Sequence, residues 1–151
     1  MILMIVAGAT VFGHFLAVTT IPATLSSWVV GLPLPHWGVM IIVMFFFFLG
    51  GCFMDALGMI MLTIPIFYPV AVALGYDPIW FGVVIVLVTE LGVITPPVGI
   101  NVYVVNGIAQ DVPLEKIFKG ALPFVLTLLS YVIIMIIFPQ IALFLPSFVA
   151  Y

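Results

Sequence analysis

Charge is what this chain has least of. Two basic side chains, Lys116 and Lys119, and five acidic ones are spread over 151 residues, for a formal net charge of −3. No nucleic-acid partner is expected, because that recognition starts from clustered basic residues. Cysteine is nearly as scarce: Cys52 stands alone, which excludes a disulfide within the chain and says little about redox compartment. No linker, low-complexity tract or heptad repeat divides the sequence, so a single unit is expected. What fills the chain is apolar. With 67% hydrophobic residues and 5% charged, the composition excludes an ordinary soluble domain and predicts an all-α integral membrane protein in a lipid bilayer. The apolar runs exceed a signal-peptide core and no basic region precedes the first, so no cleavable leader is expected.

Polar and proline-rich junctions separate the apolar blocks. Residues 1–20 suffice for one transmembrane helix, with His14 as its one strongly polar side chain, read as a satisfied bundle residue. Residues 21–37 carry Pro22, Pro33, Pro35, Trp28 and Trp37 and read as an interfacial arm with a short helix over 22–30. Residues 38–63 fit either one ordinary span or, because Gly50-Gly51 and Asp55 interrupt them, a re-entrant hairpin of two half-helices. The hairpin puts Trp28 on the same side as Asp77; the single span puts it opposite. Residues 64–78, with Pro65, Pro69, Gly75 and Tyr76-Asp77-Pro78, read as a connection back to the membrane surface. Trp80 reads as an interfacial anchor like Trp28 and Trp37. Residues 110–119 are the most polar stretch and carry both lysines, which assigns them to the cytoplasmic side. Residues 120–145 form a final span, kinked or ended near Pro139.

The informative segment is 79–109. As one straight helix it would run roughly 45 Å, against a hydrocarbon core of about 30 Å, and Thr95-Pro96-Pro97-Val98-Gly99 interrupts it near its middle. Pro96 and Pro97 have no N–H, so the carbonyls of Gly92 and Val93 lose their helical partners. In lipid such groups are costly unless something coordinates them. A broken transmembrane helix follows, whose first half ends with its negative dipole end and free carbonyls, suited to Na⁺. Its second half begins near Gly99 with free N–H groups, suited to an anion. Thr95 adds a hydroxyl oxygen, and Asn101 an amide on the first turn, where a bound anion and a helix-packing hydrogen bond are both open. Glycine at 92 and 99 permits close backbone approach. Asp55 serves either as a cation ligand or as the N-cap of the helix after it. Glu90 faces either a cation or the bundle interior. The plainer alternative is a proline kink whose carbonyls are satisfied by neighbouring helices.

These residues carry a resemblance. Gly50-Gly51-Cys52-Phe53-Met54-Asp55-Ala56 with Ile64-Pro65-Ile66 and Pro69, then Leu74-Gly75-Tyr76-Asp77-Pro78 and Phe81-Gly82, then Glu90 through Asn101, resemble in order the C-terminal part of the large permease subunit of tripartite ATP-independent periplasmic (TRAP) transporters. That family lies within the broader ion-transporter superfamily. The resemblance implies a Na⁺-coupled, elevator-type carrier of organic anions such as dicarboxylates or sialic acids, in a bacterial inner membrane. It implies a small membrane subunit and a periplasmic substrate-binding protein as partners. By position it implies a Na⁺ site at Gly50, Gly51, Gly92, Thr95 and Val98, and a substrate site at Thr95, Pro96, Pro97, Gly99 and Asn101. The family's large subunit is built from two inverted repeats, and this chain matches one. The N-terminal half of the permease is therefore expected as a further partner, without which the fragment should not transport.

No enzyme is expected. An intramembrane aspartyl protease needs two carboxylates sharing a proton, and only Asp55 and Glu90 lie at depth, without that chemistry's signatures. A channel or structural membrane subunit is the alternative, and it would have continuous pore-lining helices.

Overall fold

The computed structural model describes residues 2–144 and 146–148. Among them there is no strand. Eight α-helices follow in order: α1 Ile2–Thr19, α2 Ile21–Val30, α3 His36–Phe53, α4 Ala56–Ala73, α5 Pro78–Val93, α6 Ile100–Ile108, α7 Leu114–Ile137 and α8 Gln140–Phe144, with a 3₁₀ turn at Pro146–Phe148. Three helices, α3, α4 and α7, are long and apolar enough to cross a bilayer, and α1 with α2 would make a fourth span, bent by 64°. The bend falls at Thr20, which takes a left-handed φ of 54° ahead of Pro22 in the first turn of α2. His14 lies on the exposed face of α1.

The segment expected as a hairpin of two half-helices within 38–63 is instead a pair of 18-residue helices reaching from His36 to Ala73. Gly50 and Gly51 do not break α3. The turn comes later, at Met54-Asp55, where the Asp55 carboxylate accepts from the Gly58 amide at 3.3 Å and caps α4. The pair is antiparallel: Gly50 lies against the Met59 side chain, the rings of Phe47 and Phe67 meet at 5.5 Å, and Val39 packs with Val70 and Leu74. Residues 64–73, read as a connection, continue α4 through Pro65 and Pro69. The carbonyls that Pro65 and Pro69 deprive of a helical donor are those of Met61 and Pro65; α4 is held there by its packing on α2, whose Ser26 hydroxyl donates to the Pro69 carbonyl at 3.3 Å. Because α2 packs on the far end of α4, with Val29 beside Leu74 and Tyr76, Trp28 lies at the same end of the molecule as Asp77.

Asp77 starts α5 by accepting from the Ile79 and Trp80 amides at 2.8 and 3.3 Å, with Pro78 at the first position, where a missing N–H does no harm. The core lies between α3 and α5 and is closed by α4: Phe47, Phe81, Val84 and Ile85 are completely enclosed. Trp80, read as an interfacial anchor, is buried instead, 5% exposed. Its indole N–H donates to the Met135 carbonyl of α7 at 2.8 Å. Pro139 lies four residues beyond Met135 and cannot donate, so α7 ends at Ile137 and Trp80 fills the orphaned acceptor. The last span therefore runs 114–137 rather than 120–145, beginning directly after Pro113 with Glu115 in the first turn, favourable to the helix dipole.

Candidate functional site: the break between α5 and α6

α5 stops at Val93 and α6 begins at Ile100, so the interruption occupies residues 94–99. It is held against the end of α3. A Cβ at Gly92 would lie 2.5 Å from the Phe48 carbonyl oxygen and 2.9 Å from the Cys52 nitrogen, and a Cβ at Gly51 would lie 2.6 Å from the Thr89 carbonyl oxygen. Two helix backbones therefore touch with no side chain between them, which glycine alone permits. Close by, the Gly99 N–H donates to the Cys52 carbonyl at 3.3 Å, tying the start of α6 to the last turn of α3. Gly99 is buried with φ +59°. The C-terminal ends of α3 and α5, each carrying partial negative charge, thus converge at one point.

The carbonyl accounting differs from the sequence expectation. Gly92 does not stay open, because the Thr95 N–H turns back to it at 3.0 Å. The Thr95 hydroxyl donates to the Leu91 carbonyl, whose usual donor was that same Thr95 N–H. Among the described residues, the carbonyls without an N–H or hydroxyl partner at the crossing include those of Gly51 and Val93, with Ile94 and Thr95 in the loop itself. Thr95 Oγ retains its lone pairs while its proton is engaged. Gly50 lies on the α4 side, its carbonyl taken by the Met54 amide at 2.8 Å, so it does not share the Gly51–Gly92 crossing. Val98 is half-buried within the loop, and Pro96 and Pro97 are exposed and joined by a cis peptide.

A second feature lies beside the crossing. A cleft of about 620 Å³ between α1, the α3–α4 turn and α6 brings Asp55 and Asn101 together, with Met54, Gly58 and Ile100. Both helix N-termini that follow the two breaks open there. That of α4 is capped by Asp55, whereas α6 has no side-chain cap; among the described residues the Ile100 and Asn101 amides have no acceptor, and both residues line the cleft. Glu90 is half-buried on α5 and does not line this cleft with Asp55. Residues missed by sequence reasoning are Cys52, whose carbonyl holds Gly99, and Leu91, whose carbonyl engages Thr95. Both act through main-chain atoms, which leave no trace in residue type.

A family model described as tripartite ATP-independent periplasmic transporter, DctM component, matches residues 1–141. The chain is 37% identical over 97% of its length to the C4-dicarboxylate TRAP transporter large permease protein DctM of Pseudomonas aeruginosa, covering 34% of that protein. It is 31% identical over 95% of its length to the sialic acid TRAP transporter large permease protein SiaM of Vibrio cholerae, covering 34% of it. It is 36% identical over 72% of its length to the ectoine/5-hydroxyectoine TRAP transporter large permease protein UehC of Ruegeria pomeroyi, covering 25% of it. The chain spans about a third of the length of the first two of these relatives.

Proposed function

Because the chain belongs to the DctM component family of tripartite ATP-independent periplasmic transporters and is a multi-pass membrane protein rather than an enzyme, we propose that it forms the C-terminal, ion-binding part of a Na⁺-coupled permease for organic anions. The observation that carries this reading is the backbone contact of Gly51 with Gly92, locked by the Gly99–Cys52 hydrogen bond. Two helix C-termini meeting there, with the Val93 and Gly51 carbonyls lacking donors, supply the hard oxygen ligands a small cation takes in place of water. The free amides of α6 and the Asn101 amide suit a carboxylate or similar anionic group. Asp55 lines the same cleft and repels an anion arriving alone; a Na⁺ bound first offsets that repulsion, which is a physical route to coupling.

The hairpin turn and the broken helix are tied through main-chain atoms and are suited to move as one body, as an elevator mechanism needs. A small membrane subunit and a periplasmic substrate-binding protein are the partners in this reading, the bacterial inner membrane is the location, and dicarboxylates or sialic acids are the class of substrate. The permease segment that lies outside this chain supplies the rest of the pocket, without which no transport is expected.

Thr95 provides the test. In the complete permease, reconstituted with its partners, Thr95→Ala raises the Na⁺ concentration for half-maximal uptake about tenfold, while Thr95→Ser stays within about twofold of wild type. Half-maximal Na⁺ identical in wild type and Thr95→Ala, with both inserted to the same level, would remove Thr95 from the ion site.

A further inference from the structure

We propose that Lys119 is the charge-recognising residue on the route by which an organic anion passes between the 94–99 loop and the α6–α7 side of the membrane. The inference rests on the transporter reading above and adds to it a residue, a side and a charge.

The first observation is a cleft of about 220 Å³ that has Thr95 and Pro96 on one wall and Phe118 and Lys119 of α7 on the other. It shares no lining residue with the cleft of Asp55 and Asn101. The second is depth. A Cβ at Gly99 would lie 3.1 Å from a ring carbon of Phe118, and the Phe118 ring packs edge-on to Tyr103 of α6. Phe118 therefore sits at the level of the break, and Lys119 follows it in the chain. The third is scarcity: Lys116 and Lys119 are the only basic residues, and of the two it is Lys119 that lines the cleft.

An exposed lysine near a helix end commonly snorkels to headgroups, and Lys116, in the first turn of α7, is placed for that. Lys119 has the loop within its cleft instead. The remaining lining is apolar, with Ile94, Leu122 and Val125, and Lys119 itself is exposed, so its stem lies along the cleft and its ammonium acts at the mouth. An ammonium there attracts a carboxylate and repels Na⁺. On this side the anion has a favourable path to the loop, and the cation meets a barrier unless the anion accompanies it.

The experiment uses the complete permease with its partners in proteoliposomes of known orientation, with a radiolabelled organic anion that wild type transports. Half-saturating anion concentration is measured in exchange from the face bearing residues 109–113 for Lys119→Gln, Lys119→Arg and Lys116→Gln. Lys119→Gln is expected to raise it about three- to tenfold. Lys119→Arg and Lys116→Gln stay near wild type, and labelling of a cysteine placed at Asp111 reports unchanged orientation in all three. Equal half-saturation for Lys119→Gln and wild type overturns the proposal, as does an equal rise in Lys116→Gln, which would mark a general surface-charge effect. Absence of anion exchange in wild type would sink the transporter reading itself, so the two failures are distinguishable.

Discussion

Gly92→Ala destabilises the complete permease by about 3 kcal/mol, the largest effect expected of any single methyl in this chain. The added carbon meets main-chain atoms of α3 at 2.5 and 2.9 Å, and backbone cannot swing aside as a side-chain tip can. Overpacking of this kind costs about 1–3 kcal/mol. Separating the helices also strains the Gly99–Cys52 hydrogen bond, worth about 1 kcal/mol more. Gly82, also in α5, has nothing within 4 Å of its would-be Cβ, so Gly82→Ala is neutral or slightly stabilising through helix propensity. Thermal unfolding of both variants in detergent, beside wild type, is the check. Equal midpoints for Gly92→Ala and Gly82→Ala would show that α3 and α5 do not touch as described.

Trp80→Phe is the second large effect. Phenylalanine keeps an aromatic ring to stack on Tyr76, now 5.2 Å away, but removes the donor that reaches the Met135 carbonyl at 2.8 Å. That acceptor is then buried without a partner, at a cost of about 1–3 kcal/mol. The cause is specific, because Pro139 withholds the N–H that would otherwise serve Met135. Pro139→Ala returns it. In a double-mutant cycle, Trp80→Phe should therefore cost about 1 kcal/mol less in the Pro139→Ala background than in wild type. Additive losses would mean that Trp80 acts through its bulk alone.

The break at 94–99 was legible because two consecutive residues lack an N–H, a property local to the sequence. The start of α4 was legible in part for a similar reason, since Asp55, read as either a cation ligand or a cap, caps within three residues of itself; Asp77, read only as part of a turn, does the same for α5. Where reading failed, the deciding partner was distant. Pro65 and Pro69 signal a helix end, yet α4 passes through both, packed along α2, whose Ser26, 43 residues away, donates to the Pro69 carbonyl. Gly50-Gly51 reads as a hinge, but Gly51 is glycine because Thr89 and Gly92 of another helix come within contact of it. Trp80 has the composition of a headgroup anchor and is drawn inward by a carbonyl 55 residues later. At the site, the sequence named the two loops correctly as the elements that meet. It assigned open carbonyls to Gly92 and Val93; the chain turns Thr95 back onto Gly92 and leaves Val93 open as expected.

The central claim is that the meeting of α3 and α5 at Gly51 and Gly92 makes a cation site from main-chain oxygens. Counting Na⁺ bound per complete permease at saturation, by equilibrium binding of radioactive Na⁺ to purified protein, tests it most directly. The account predicts that folded Gly92→Ala binds one Na⁺ fewer than wild type while Gly82→Ala binds the same number. An unchanged count in Gly92→Ala would contradict it.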